Sequence, residues 1–195
     1  MKYKKKSISD ILRHPQTIFS FKDLFLIWND TDTQNTISSI YYYIKTGQLY
    51  RIRKGVYAKD KNYDRFELAV KILSPAYVSF ETVLGNEGVI FQKYSSIFVA
   101  SYQSKEIIAD NQTFNFKKLK DSLLTNNAGI KAQGNYPIAS LERAFLDVLY
   151  LNKDYHFDSL SRINWDIIFK ILPIYGGNKR MAKMVNNYYN SFKQG

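Results

Sequence analysis

The stretch that most constrains this chain is Gly47-Gln48-Leu49-Tyr50-Arg51-Ile52-Arg53-Lys54-Gly55-Val56-Tyr57, directly behind a helix-like run from Thr33 to Lys45. Gly47 suits the position past a helix end, where the backbone turns left-handed and a side chain is a liability. A short strand pattern, a basic turn at Arg53-Lys54-Gly55 and a returning strand at Val56-Tyr57-Ala58 predict a hairpin. A helix feeding a two-stranded ribbon with a cationic tip leaves few folds open.

Upstream, Ile8 to His14 reads as a short amphipathic helix stopped by Pro15. Phe21 to Asn29 places Phe21, Leu24, Phe25 and Trp28 at helical spacing behind Ser20 as N-cap. Asp32 caps the third helix, where a negative charge suits the positive helix start. Three helices and a ribbon are the layout of a winged helix-turn-helix over residues 1–62, and nucleic acid is the leading partner. In the third helix Ile37, Ile40, Tyr41 and Ile44 are expected to face the core. At about 100° per residue, the outward face is then Asn35, Ser38, Ser39 and Tyr42, with Thr36 and Tyr43 at its margins. That face carries no acid, so it can enter a groove without charge repulsion. An ordinary solvated face is the alternative, but such faces are usually built from Lys and Glu. Candidate DNA contacts are therefore Thr33, Gln34, Asn35, Thr36, Ser38, Ser39 and Tyr42. Arg51, Arg53 and Lys54 are placed on phosphates or in a minor groove. A charged hairpin that only keeps a sheet edge soluble is the competing reading.

Charge agrees with this placement. The chain carries a formal +11, which points to a polyanionic partner. Residues 1–62 hold 12 Lys/Arg against 5 Asp/Glu, and residues 63–195 hold 16 against 12. Lys2, Lys4, Lys5 and Lys6 form a basic arm that could add phosphate contacts or serve only solubility. There is no cysteine, which excludes disulfides, thiol catalysis and thiolate metal sites. The basic start lacks the apolar run of a signal peptide, and no segment approaches ~18 uninterrupted apolar residues. A cytoplasmic protein without a membrane span is expected.

Residues 63–195 read as a mixed α/β body with a helical tail, which makes the whole chain α+β. Lys59 to Arg65 is a polar linker, and Phe66, Ala69, Val70 and Leu73 open the second unit as a helical stripe. Ser79 is expected to cap a helix from Phe80 to Leu84. Strands follow at Ile97–Ser101, 107–109, 113–116 and 129–132, with Asp110-Asn111 as a turn. A helix spans 141–151, another 165–172, and a last one runs beyond Pro173 to about Phe192. The tail carries Lys170, Lys179, Arg180, Lys183 and Lys193 among Asn187, Tyr188, Tyr189 and Phe192. It reads as aromatics packed inward with lysines outward, the alternative being a second nucleic-acid or partner surface.

Enzyme signals are weak, and an enzyme acting on nucleic acid ranks last among the readings. His14 and His156 lack partners at metal-ligand spacing, and no nucleophile elbow or phosphate loop occurs. Gly85-Asn86-Glu87-Gly88 is explained as a helix end. Glu142, Arg143 and Asp147 lie near one helix face and could make an acid pair, but a surface ion pair or a cap-region charge is the expected reading. No cofactor, metal or catalytic residue is expected.

Three segments resemble one family. The first is Gly47, Leu49, Arg51, Ile52, Gly55, Val56 and Tyr57. The second runs from Ser74 to Leu84 and continues at Gly88-Val89-Ile90. The third runs from Ile138 to Tyr150, with Leu141 where the family often has Pro. In this order they are similar to the AbiEi-type antitoxins of type IV toxin–antitoxin systems, over about residues 18–172. The resemblance implies a bacterial DNA-binding antitoxin of abortive infection and phage defence. It implies repression of its own operon through inverted repeats, which need two protomers on the operator. It also implies a nucleotidyltransferase-like toxin counteracted by the C-terminal domain without a stable complex. It supplies no catalytic residue. The competing reading is a winged-helix module that docks another protein instead of DNA.

Overall fold

The computed structural model describes residues 7–194. They form two compact units, one through Ile72 and one from Leu73.

In the first unit α1 is Ile8–Leu12, with Ser7 accepting from the Ser9 amide. Strand β1, Ile18–Ser20, runs straight into α2, Phe21–Ile27. Ser20 and Asp23 satisfy each other's free helix-start donors, a capping box that sets this junction. Helix α3 is Thr33–Lys45, capped by Asp32 through the Gln34 amide at 2.9 Å. Gly47 follows with φ 73°. The ribbon is β2, Tyr50–Arg53, and β3, Val56–Ala58. Strand β1 also pairs with β3, giving an antiparallel sheet in the order β1-β3-β2. Ile11, Phe19, Leu24, Trp28, Ile40 and Leu49 make the buried core between helices and sheet.

Helix α4, Arg65–Ile72, belongs to this unit and not to the body that the sequence reading assigned it to. Two charged contacts hold it. Glu67 is buried and accepts from the Thr17 amide (3.0 Å), the Thr17 hydroxyl (2.7 Å) and the Ile18 amide (3.3 Å), closing the open start of β1. Lys71 Nζ lies 2.8 Å from Asp23 Oδ2. Burial pushes the Asp23 carboxyl up, but Lys71 and the Ser20 donors outweigh it and leave it below its usual range.

The second unit is built on a mixed six-stranded sheet. Its strands are β4 (Ala76–Val78), β5 (Ile97–Ser101), β6 (Lys105–Ala109), β7 (Gln112–Lys118), β8 (Ile130–Gln133) and β9 (Tyr136–Ala139). Their order is β6-β7-β5-β4-β9-β8, with β5/β7 and β4/β9 parallel. Asp110 and Asn111, both at positive φ, make the β6–β7 turn. The helices are α5 (Glu81–Asn86), α6 (Asp121–Leu124), α7 (Leu141–Leu151), α8 (Trp165–Ile171) and α9 (Lys179–Gln194), with a 3-10 turn at Leu172–Tyr175. Glu81 does begin the first turn of α5, yet Ser79 makes no cap: its hydroxyl donates instead to Asp147 at 2.8 Å.

That contact belongs to the largest departure from the sequence reading. Glu142, Arg143 and Asp147 are all buried, the last two completely, so they form no surface pair. Helix α7 is enclosed from Glu142 through Leu149, and an i, i+4 pair on such a helix has no solvent side to occupy. Arg143 Nε meets Asp147 Oδ1 at 3.1 Å, and its other nitrogens reach the Tyr77 hydroxyl and the carbonyls of Leu123 and Ala128. Asp147 also accepts from the hydroxyls of Tyr77, Ser79 and Tyr175. Burial raises the Asp147 carboxyl and both tyrosine hydroxyls, while Asp147 holds Arg143 in its charged form. The cluster ties β4, α6, α7 and the 3-10 turn to one point.

Candidate nucleic-acid interface

Helix α3 presents Thr33, Gln34, Asn35, Ile37, Ser38, Tyr41, Tyr42 and Lys45 to solvent, with Ser39 half-buried. Thr36, placed among the DNA contacts by sequence, is instead fully buried. Its hydroxyl donates to Asp30 Oδ2 at 2.5 Å, which makes a polar side chain acceptable inside. Tyr43 turns inward beside it and packs against the Trp28 ring at 5.9 Å. The helix is therefore rotated by less than one residue step from the expected setting. Ile37 and Tyr41, expected in the core, emerge 48% and 68% exposed. Ile40 and Ile44 remain on the inner side.

The outward face stays free of acid along the helix. Ser38 and Ser39 donate to the Gln34 and Asn35 carbonyls, both at 2.9 Å, so their oxygens face outward chiefly as acceptors. Gln34 and Asn35 are the exposed amides at the start of the helix, each offering a donor and an acceptor.

At the ribbon tip Arg53 pairs with Val56, so the turn is Lys54-Gly55, with Gly55 at φ 78°. The register slips between Arg51 and Arg53, a bulge that separates the fates of the two arginines. Arg51 and Lys54 are exposed, whereas Arg53 is half-buried with one guanidinium nitrogen enclosed and without a hydrogen-bond partner. Lys61, which reads in sequence as part of a linker, sits 5.7 Å over the Tyr50 ring and adds a cation beside β2. Through Ile72 the chain holds 14 Lys/Arg against 7 Asp/Glu, so adding α4 leaves the +7 excess intact. The lysine arm, Lys2 to Lys6, lies outside the described residues.

The arrangement offers hydrogen-bonding and apolar groups on one helix and exposed cations on a hairpin of the same unit. Those are the two classes of contact that read bases and hold phosphates. Sequence reasoning missed Ile37, Tyr41 and Lys45 on the outer face. The signal that could have found them was Asp30, a carboxylate one turn ahead of α3 that can satisfy an inward threonine.

Among the described residues no group of three or more His, Cys, Asp or Glu could hold a metal ion. None of their helices is long and apolar enough to cross a membrane.

No family model matches the chain, and no curated protein matches it. Among solved structures it is similar to the crystal structure of RV2827C protein from Mycobacterium tuberculosis. The TM-score is 0.44 at 12% identity, with 95% of this chain and 81% of that chain covered. At that similarity nothing about function passes from one to the other.

Proposed function

We propose that the first unit is a winged helix-turn-helix that binds double-stranded DNA, with α3 in the major groove and the β2–β3 hairpin as the wing. On this reading the chain is a transcriptional autorepressor and the antitoxin of an AbiE-like type IV system. Two protomers occupy inverted repeats upstream of its own operon, and the second unit counteracts a nucleotidyltransferase-like toxin without a stable complex. The observation that carries the DNA-binding half is the acid-free exposed face of α3 in the same unit as the exposed Arg51 and Lys54 of the hairpin. The antitoxin half rests on the resemblance of the three sequence segments alone.

Titration with the DNA upstream of its own gene, beside a scrambled duplex at two salt concentrations, tests the first half. Preference for the upstream duplex that survives higher salt is the expected result. Equal and salt-fragile binding to both would reduce the unit to a general polyanion surface. Co-expression with the neighbouring gene tests the second half: growth arrest by that gene alone, relieved by this one, is expected.

A second reading has one observation in its favour. Ile37 and Tyr41 stand one turn apart on the outer face of α3, and Leu26 on α2 is 62% exposed. Apolar side chains on an accessible helix suit docking to a protein. Ile37→Glu would then abolish partner binding, and added salt would change it little.

A further inference from the structure

The net positive charge of the second unit comes from one segment. Residues 159–195 hold six Lys/Arg against one Asp/Glu, whereas residues 73–158 hold eight against nine. That cationic segment forms α8 and α9, and a shallow, open cleft of about 470 Å³ lies against both helices. Its wall is aromatic. The Trp165 ring contacts Tyr189 at 5.2 Å and Phe192 at 5.7 Å between centroids. Phe192 remains 41% exposed, and Lys193 Nζ sits 4.3 Å over the Tyr189 ring. Arg162 lines the other side with its side chain 62% exposed. It donates to the Glu87 carbonyl at 2.9 Å and lies 3.6 Å from the Glu87 carboxylate, so its remaining donors face solvent. The Trp165 indole N–H is buried without an acceptor. From the cleft, the outer face of α9 continues as Asn190, Asn187, Asn186, Lys183 and Lys179, all exposed and without an acid.

We propose that this cleft is a stacking site for single-stranded nucleic acid, distinct from the duplex surface of the first unit. An exposed ring flanked by two cations meets both needs of such a ligand: a π-face for a base and positive charge for the flanking phosphates. A protein partner would also find the rings, but an acid-free helix with three exposed asparagines and two lysines fits a phosphate backbone better. Phe192 receives the base, and Arg162 and Lys193 hold the phosphates on either side. Asp166, the one acid lining the cleft, accepts from exocyclic amines and so favours bases that have one.

The test uses the full chain with Trp28→Phe, so that emission reports Trp165 alone. It is titrated with unstructured ten-nucleotide DNA of mixed A and C, and with thymidine strands of equal length. Saturable quenching, stronger for the A/C strand, is expected, with a salt slope of about −1.4 for two phosphate contacts. Phe192→Leu, which removes the ring but keeps an apolar side chain and is first checked for an unchanged unfolding midpoint, should weaken binding about tenfold. Lys193→Gln should flatten the slope by about 0.7, and Lys54→Ala should leave the quenching unchanged. Failure to bind either strand would overturn the proposal, and so would binding that Phe192→Leu and Lys193→Gln leave intact while Lys54→Ala abolishes it. Co-purification of a protein lost on Phe192→Leu, without oligonucleotide binding, would assign the face to a protein partner instead.

Discussion

Removing the Asp147 carboxylate separates two pictures of α7 by a wide margin. An i, i+4 ion pair on a solvated helix contributes about 0.3–0.5 kcal/mol. The observed pair is fully enclosed, with three hydroxyls also donating to the same carboxylate. Asp147→Ala leaves the Arg143 guanidinium without its counter-charge in the interior, a loss of about 3–5 kcal/mol. Each stranded hydroxyl could add about 1–3 kcal/mol where water cannot reach it. Against a total of about 5–15 kcal/mol for a domain, the second unit should come close to its limit. Urea unfolding followed by Trp165 emission in a Trp28→Phe background gives the number. With a slope of about 2 kcal/mol per molar, a loss of 4 kcal/mol lowers the midpoint by about 2 M. Asp147→Asn, which keeps the shape but not the charge, should fall between. A midpoint shift below about 0.3 M for Asp147→Ala would refute the reasoning and return the pair to the surface class.

Three further outcomes follow from the geometry. Asp23 sits below its ordinary value of 3.8, so its carboxylate contributes stability that is complete above that value and lost as pH falls through the depressed one. Asp23→Asn should therefore weaken the first unit at pH 6 by about 1 kcal/mol or more and flatten its acid dependence below pH 4, read by Trp28 emission in a Trp165→Phe background. Gly129 has φ +74°, and a Cβ there would stand 2.7 Å from Arg143 Cβ and 2.9 Å from Ile171 Cδ1. Gly129→Ala should cost the second unit about 2 kcal/mol or more in the same urea experiment. On the proposed interface, Arg51→Ala and Lys54→Ala should each weaken binding to every duplex and reduce the salt slope by about one. Asn35→Ala should change sequence preference there, while Thr36→Val should lower stability and leave preference alone.

Elements with a clean local signal were legible in advance. The Thr33–Lys45 and Leu141–Leu151 helices and the Ile97–Ser101 strand have the expected bounds, because a cap or an unbroken apolar run marks each. Strands β1, β4 and β9 were not legible, because each is three or four residues long and is followed closely by a helix. Their pairing comes from distant partners, as between Val78 and Ile138, which no local window contains. The rotation of α3 was hidden for a related reason: an inward threonine is acceptable only because Asp30 reaches it. The burial of Arg143 and Asp147 did leave a trace. Apart from Glu142, Arg143 and Asp147, α7 carries no charge and almost no polar side chain, so a helix wrapped in apolar residues had to take its charges inside. The candidate interface was readable as a region, and the individual contacts on it depended on a helix setting that only packing fixes.

The clamp between Glu67 and the start of β1 decides where this chain can be divided. A fragment ended at residue 62, where composition suggests a boundary, would discard the only acceptor that the Thr17 and Ile18 amides find among the described contacts. It would also release Asp23 from Lys71. A cut after Ile72 retains both. Anyone isolating the head for crystallisation, labelling or fusion should therefore carry it through the polar loop to the end of α4, since the stretch that looks like a spacer leads into the helix whose Glu67 holds β1, the third strand of the sheet.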